Sequence, residues 1–305
     1  MERLLRNFFL FLAKNRQLTK AAKKYGMRFG ADRFVAGADL NHALATIKKL
    51  NQQGFSVTID HLGEFVDNEQ EANEMADHCI QAIEGMARDG LDSQLSLKLT
   101  SMGLDINREL CLDNMKRILD RAKELGVFIT IDMEDYSHCG VTLDVFKELK
   151  SQYDNIGTVV QAYLYRTIDD IQELDQYHPN LRIVKGAYKE PPEVAFPAKK
   201  DVDQNFKNLI TVHMLRGNYT AIATHDDDVI RFAQYLIQKH NIPKDQFEFQ
   251  MLYGIRPERQ REILAQGYKM RIYVPYGEDW YGYNMRRLAE RPANVAFVLK
   301  GVFGK

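Results

Sequence analysis

Four times along the chain an amphipathic helical stretch runs into a glycine and then into a short apolar strand with a polar end. The copies are QGFSVTIDH at Gly54, LGVFITIDMED at Gly126, RGNYTAIATHD at Gly217 and QGYKMRIYVPYG at Gly267. A glycine at that point accepts the left-handed conformation that closes a helix, where a Cβ would be strained. Further strand candidates lie between the copies: LSLKLT (95–100), TVVQAYL (158–164), LRIVKGAY (181–188) and FEFQMLYG (247–254). Apolar residues at three- and four-residue spacing separate them, as in Leu112, Met115, Leu119 and Ala122, or Phe206, Leu209, Ile210 and Met214. Thr142 and Thr167 read as helix N-caps, the second with Asp170 three residues on.

Eight strands alternating with helices imply a parallel sheet, and eight in roughly 250 residues match a closed (β/α)8 barrel. An open doubly wound sheet is the alternative that the pattern leaves. With no Pro/Gly/Ser-rich linker, residues 1–305 read as one domain, and residues 1–50 as a helical segment preceding the barrel.

The formal net charge of −1 argues against nucleic acid as a partner, because phosphate contacts need a basic excess to displace counterions. Cys79, Cys111 and Cys139 are odd in number and show no CxxC spacing, so neither a disulfide framework nor a thiolate zinc site is suggested. A reducing, cytoplasmic setting fits. The run FFLFLA (8–13) is far short of the roughly 20 residues of a membrane span. The start is nevertheless basic, with Arg3, Arg6, Lys14, Arg16, Lys20, Lys23, Lys24 and Arg28 against Glu2. Such a segment either packs on the domain as a solvated helix or lies peripherally on an anionic membrane.

In a parallel barrel the chemistry collects at the C-terminal ends of the strands. Here those ends offer Asp60 and His61, Lys98, Asp132 and Glu134, Gln161, Arg182 with Lys185, Thr224 with His225, Gln250, and Tyr273. The segment DWYGYNMRRLAE (279–290) follows the last strand. Helical periodicity gathers Tyr283, Arg286, Arg287 and Glu290 on one face. As a bare surface helix this is a solvated face; over the barrel mouth the two guanidiniums become a bidentate carboxylate clamp. At Gly186 a backbone without a side chain could approach a flat ring or a phosphate. A G-x-G-x-x-G fingerprint is absent, so a dinucleotide would bind through barrel loops. The run IDMEDYSHC, with Asp132, Glu134, Asp135 and His138 near Asp60, His61 and His225, invites a divalent metal. Its residues lie at no recognised ligand spacing, and no metal is assigned.

Taken in order, LSLKLT, IDMED, VVQAY, LRIVKGAY, IATHD, FQMLYG, RIYVPYG and YNMRRLAE resemble the proline dehydrogenase family in its small bacterial monofunctional form. The likeness runs from Leu95 onward. It implies a distorted (β/α)8 barrel with the last helix over the mouth, bound FAD, and oxidation of L-proline to 1-pyrroline-5-carboxylate by hydride transfer to flavin N5. Electrons would pass to a membrane quinone, and a separate aldehyde dehydrogenase would take the product. Carried over residue by residue, Lys98, Arg286 and Arg287 would hold the proline carboxylate, while Tyr188, Leu252, Tyr273 and Tyr283 enclose its ring. Glu290 would support the arginine pair. Asp132 and Arg182 match the catalytic positions, and Met133, Gln161, Arg182, Lys185, Gly186, Ala187, Thr224 and His225 the flavin contacts. A cation such as Arg182 would favour an electron-rich flavin, because fixed charge acts strongly in a site closed to water. The competing readings are a metal-dependent barrel hydrolase or isomerase, and a flavin or amino-acid binder without turnover.

Overall fold

In the computed structural model, residues 34–63 and 66–277 are described. The order is α1 (Leu40–Gln52), β1 (Ser56–His61), α2 (Glu69–Arg88), β2 (Ser93–Leu97), α3 (Arg108–Glu124), β3 (Ile129–Ile131), α4 (Tyr136–Lys150), β4 (Ile156–Gln161) and α5 (Thr167–Leu174). It continues with β5 (Leu181–Val184), α6 (Lys199–Leu215), β6 (Thr220–Ala223), α7 (Asp227–His240), β7 (Phe247–Leu252), α8 (Pro257–Ala265) and β8 (Met270–Tyr276). A 3-10 turn at Thr100–Met102 follows β2. All eight strands are parallel, each pairs with its neighbour in sequence, and β8 closes on β1 through Ser56↔Arg271 to His61↔Tyr276. The closed barrel, and not the open sheet, is what forms. Of the helical segment before the barrel, α1 lies within the described residues; 1–33 and 278–305 lie outside them.

The helix–glycine–strand junctions form as the sequence implies. At Gly54 (φ 88°) the amide donates to Asn51 O at 2.9 Å and the next amide, of Phe55, to Leu50 O at 3.1 Å. These two hydrogen bonds satisfy carbonyls a helix end would otherwise orphan. ARDGLDSQLSL repeats the device at Gly90 (φ 62°), a fifth copy just before β2.

The two threonine caps are not formed. Asp135 caps α4, its side chain accepting from the His138 amide at 3.3 Å, so the helix starts at Tyr136, well before Thr142. Thr142 is buried in the second turn and its hydroxyl has no partner among the described residues. At α5 the N-cap position is Arg166, without a side-chain cap; the Thr167 hydroxyl donates instead to Gln161 O at 2.6 Å. Asp170 binds the Arg166 guanidinium, at 2.9 Å from Nε. Asp135 offers a carboxylate acceptor where α4 begins, and at α5 the Thr167 hydroxyl is spent on Gln161 O, so neither threonine caps its helix.

Strand alternation splits each strand into two faces. Val57, Ile59, Leu95, Leu97, Ile129, Ile131, Ile183, Ile222, Phe249, Met251, Ile272 and Val274 are buried in the apolar core. The alternate set, Thr58, Asp60, Ser96, Thr130, Arg182, Glu248, Gln250 and Arg271, is buried as well but polar. Arg182 on β5 reaches Ser96 on β2 and Asp132 after β3. Only side chains that project into the lumen can connect strands so far apart in the ring. Parallel strands with both faces buried usually read as continuous apolar runs; here the lumen is polar, which is why the strands alternate.

Candidate active site

Asp132 follows β3 and is 9% exposed; Arg182, in β5, is 5% exposed. Their ion pair closes at 2.5 Å between Arg182 Nη1 and Asp132 Oδ1. Ser96 Oγ donates to the same carboxylate oxygen at 2.9 Å and accepts from Arg182 Nη2 at 3.0 Å. Tyr273, on β8, donates its phenolic OH to Asp132 Oδ2 at 2.7 Å, and the Arg182 guanidinium carbon lies 5.2 Å from the tyrosine ring centre. Beside this group Lys98 Nζ stands 3.4 Å from Asp60 Oδ2. Four side chains singled out in the sequence, Lys98, Asp132, Arg182 and Tyr273, thus gather at one end of the lumen, with Ser96 and Asp60 between them.

Burial, then the negative charges of Asp132 and Asp60, push the Tyr273 phenol well above its ordinary range. It stays a protonated donor, as its bond to Asp132 requires. Arg182 is less fully used: its Nε is buried with no hydrogen-bond partner among the described residues. An unmet donor on a buried cation is costly unless something completes it.

Glu134 projects to the other side of the same loop. Its carboxylate accepts from Thr100 Oγ1 at 2.6 Å and from the Thr100 amide at 3.2 Å, tying the loop after β2 to that after β3. Burial raises its pKa, and the Thr100 bonds oppose that rise. Gln161, at the end of β4, donates to Glu134 O at 2.7 Å. Met133, between Asp132 and Glu134, is buried.

A second charged group stands over β5 and β6. Lys185 and Lys199 both contact both Asp203 and Asp226, the latter at 2.8 and 3.0 Å. Burial opposes ionisation of the Asp226 carboxyl, but the two lysines outweigh it and hold its pKa below the usual range. Thr224 Oγ1 accepts from the Asp226 amide at 3.1 Å. The His225 ring accepts the Leu252 amide on Nε2 at 3.0 Å, so two further singled-out residues are in contact. Gly186 (φ 109°) could not carry a side chain, since a Cβ would sit 2.2 Å from the Tyr163 ring. The flat ring approached there is the protein's own. Ala187 is exposed and Tyr188 half-buried on the same loop.

The carboxylates and imidazoles of the metal reading go to separate partners. Asp132 takes Arg182, Glu134 takes Thr100, and His138 bridges Asp135 and Asp105 at 2.7 and 3.0 Å. Among the described residues, no three His, Cys, Asp or Glu side chains are grouped to hold an ion. Tyr283, Arg286, Arg287 and Glu290 lie outside the described residues. Sequence reasoning missed Ser96, Asp203 and Asp226 as parts of these networks. Ser96 was within reach, two residues before Lys98 and therefore on the same strand face. Asp203 carries no such signal.

A polar-lumened (β/α)8 barrel with a buried cation–carboxylate–phenol cluster at one end has the build of an enzyme acting on a small charged molecule. The family model for proline dehydrogenase matches residues 43–300. Over 302 residues the chain is 56% identical to proline dehydrogenase 1 of Bacillus subtilis subsp. natto, covering 99% of this chain and 100% of that one. It is 44% identical over 307 residues to the proline dehydrogenase of Deinococcus radiodurans, at 99% of both chains. Among solved structures it resembles proline utilization A from Bdellovibrio bacteriovorus inactivated by N-propargylglycine, with a TM-score of 0.84 and 26% identity. That match covers 99% of this chain and 38% of the longer one. The chain belongs to the proline dehydrogenase family.

Proposed function

We propose that the protein oxidises L-proline to 1-pyrroline-5-carboxylate on bound FAD and passes the electrons to a membrane quinone. The observation that carries this reading is the buried Arg182 guanidinium, fixed by Asp132 and Ser96 yet with Nε unpartnered among the described residues. A flavin acceptor atom fits that donor. Gln161, Lys185, Thr224 and His225 add hydrogen-bonding groups on neighbouring strand ends, and the residues present therefore fit the cofactor. Met133, Gly186 and Ala187 would complete its surroundings through backbone and apolar contact. FAD, when bound, supplies at N5 the hydride acceptor that amino-acid side chains lack.

The chain's own part is to bind, orient and exclude water. Lys98, with Arg286 and Arg287, holds the proline carboxylate by charge-assisted hydrogen bonds. Glu290 supports the arginine pair. Tyr188, Leu252, Tyr273 and Tyr283 enclose the pyrrolidine ring, with Tyr273 locked in place by Asp132. Asp132 orients Arg182, so its unpartnered Nε–H donor faces the site without reorganising during the reaction. The amine must be neutral before its neighbouring carbon is oxidised, so turnover rises with pH.

Among the described residues no helix is long and apolar enough to cross a membrane. We take the protein as cytoplasmic, touching the inner face of the membrane peripherally through its basic first 28 residues, with a separate aldehyde dehydrogenase consuming the product. The test is turnover of L-proline by the purified protein with an artificial electron acceptor, the cyclic imine being trapped chemically. Product formation that increases toward alkaline pH is expected; no turnover with any acceptor contradicts the reading.

A further inference from the structure

Arg256, in the loop between β7 and α8, has left-handed backbone, φ 53° and ψ 52°. Two other non-glycine residues with positive φ among the described ones, His178 and Asn241, end helices, where that conformation is common. Arg256 stands at the opposite place, the N-cap of α8, where extended backbone is the rule. It also precedes Pro257, which favours extended backbone further. Its side chain does not cap the helix.

The guanidinium reaches the turn after β6 instead. Nη1 donates to His225 O at 2.6 Å and Nη2 to Asp227 Oδ2 at 2.8 Å; Arg259 adds a contact to Asp227 Oδ1 at 3.1 Å. From the β5 side Lys185 and Lys199 hold Asp226. Two adjacent aspartates are therefore gripped from opposite neighbours, with His225 immediately before them. Because the His225 ring accepts the Leu252 amide on Nε2, its neutral form carries the ring proton on Nδ1. Gln260 Nε2 anchors the Arg256 loop by donating to Leu252 O at 3.0 Å and Ile255 O at 2.8 Å. Surroundings that over-determine a disfavoured backbone are what let it persist near a functional site.

We propose that Arg256 is a positioning residue for His225, its left-handed backbone serving to bring the guanidinium onto the β6–α7 turn and so to fix the imidazole. The proposal rests on the reading of His225 as a flavin contact, and Arg256 acts through His225.

The test compares flavin retention by the holoenzyme, read as fluorescence of FAD released over a dilution series, for the wild type, Arg256→Gly, Arg256→Lys, His225→Ala and the double variants. Glycine tolerates the left-handed backbone, so the fold is not what this change strains. Lysine keeps the charge but not the two-pronged reach. Arg256→Gly is expected to raise the Kd for FAD about tenfold, the equivalent of one charged hydrogen bond, with Arg256→Lys intermediate. His225→Ala is expected to do at least as much, and Arg256→Gly/His225→Ala no more than His225→Ala alone, since residues acting through one contact are not additive. If Arg256→Gly does not fold, the cycle built on Arg256→Lys makes the same distinction. Wild-type Kd in the Arg256 variants, or additive losses in the double variant, overturns the role of Arg256 while leaving the flavin contact standing. Wild-type Kd in His225→Ala removes that contact and the proposal with it.

Discussion

The barrel lumen holds two buried arginine–carboxylate pairs, and they are finished differently. Near the N-terminal ends of the strands, Arg271 Nε donates to Glu248 Oε1 at 2.7 Å and Arg271 Nη1 to Val57 O at 2.6 Å. Glu248 also accepts from Gln250 at 2.6 Å and Tyr219 at 2.9 Å, with Lys269 at 3.2 Å. Burial opposes ionisation of Glu248, but the Arg271 charge and hydrogen bond outweigh it and hold the carboxyl at about 2. Asp132 and Arg182 pair at 2.5 Å, yet Arg182 keeps a buried Nε without a partner among the described residues. A pair completed within the protein serves the fold, as the N-terminal face of a barrel generally does. A pair with an unmet donor leaves one hydrogen bond open, and the proposed flavin contact would fill it.

Breaking the lower pair gives the largest expected effect. Arg271→Leu leaves a buried carboxylate uncompensated and should destabilise the protein by about 3–5 kcal/mol, read by urea unfolding. Replacing both partners by apolar residues should recover much of that loss. At the upper pair Arg182→Lys keeps the charge but not the planar fork. It should lower kcat/KM for proline by about 10²–10³-fold, with a far smaller change in unfolding free energy. Equal stability losses at both ends would erase the distinction.

Acid should attack the lower end first. The His213 ring, 3.1 Å from Tyr219 O, lies beside the residue that also donates to Glu248. Burial lowers its pKa from 6.5 to about 4, so the unfolded chain takes up a proton that the folded one refuses. Stability is full above pH 6.5 and falls as pH drops toward 4, by on the order of 3 kcal/mol. The Glu248 contribution, present above pH 4.5, is lost in turn as pH falls toward 2. His213→Gln should flatten the first part of that profile of melting temperature against pH. The smallest effect is expected for Tyr273→Phe: the loss of one hydrogen bond to Asp132 should cost about 1–2 kcal/mol, divided between KM and stability.

Much of the fold was legible because its signals are local. Gly54 and Gly126 mark helix ends without reference to anything distant, and the alternation in VTID, LSLK and ITID shows the strand faces directly. Lys98 and Asp132, just past their strands, were legible because barrel closure brings such ends to one mouth, whereas Arg182 and Tyr273 lie within β5 and β8 and reach the same group through the lumen. Glu248 and Arg271 were not: each sits between apolar neighbours on its own strand, and their meeting depends on register between β7 and β8. The Arg256 clamp was equally hidden, since backbone handedness at a non-glycine residue leaves no mark in the sequence. Thr142 and Thr167 misled because Asp135 supplies an acceptor that starts α4 earlier, and because the Thr167 hydroxyl is spent on a carbonyl at the end of β4.

The most direct measurement is the visible spectrum of the purified protein before and after anaerobic addition of L-proline. Flavin absorbance that bleaches with proline and persists with other amino acids is the expected result. A colourless protein that takes up no FAD, or a flavin spectrum indifferent to proline, would contradict it.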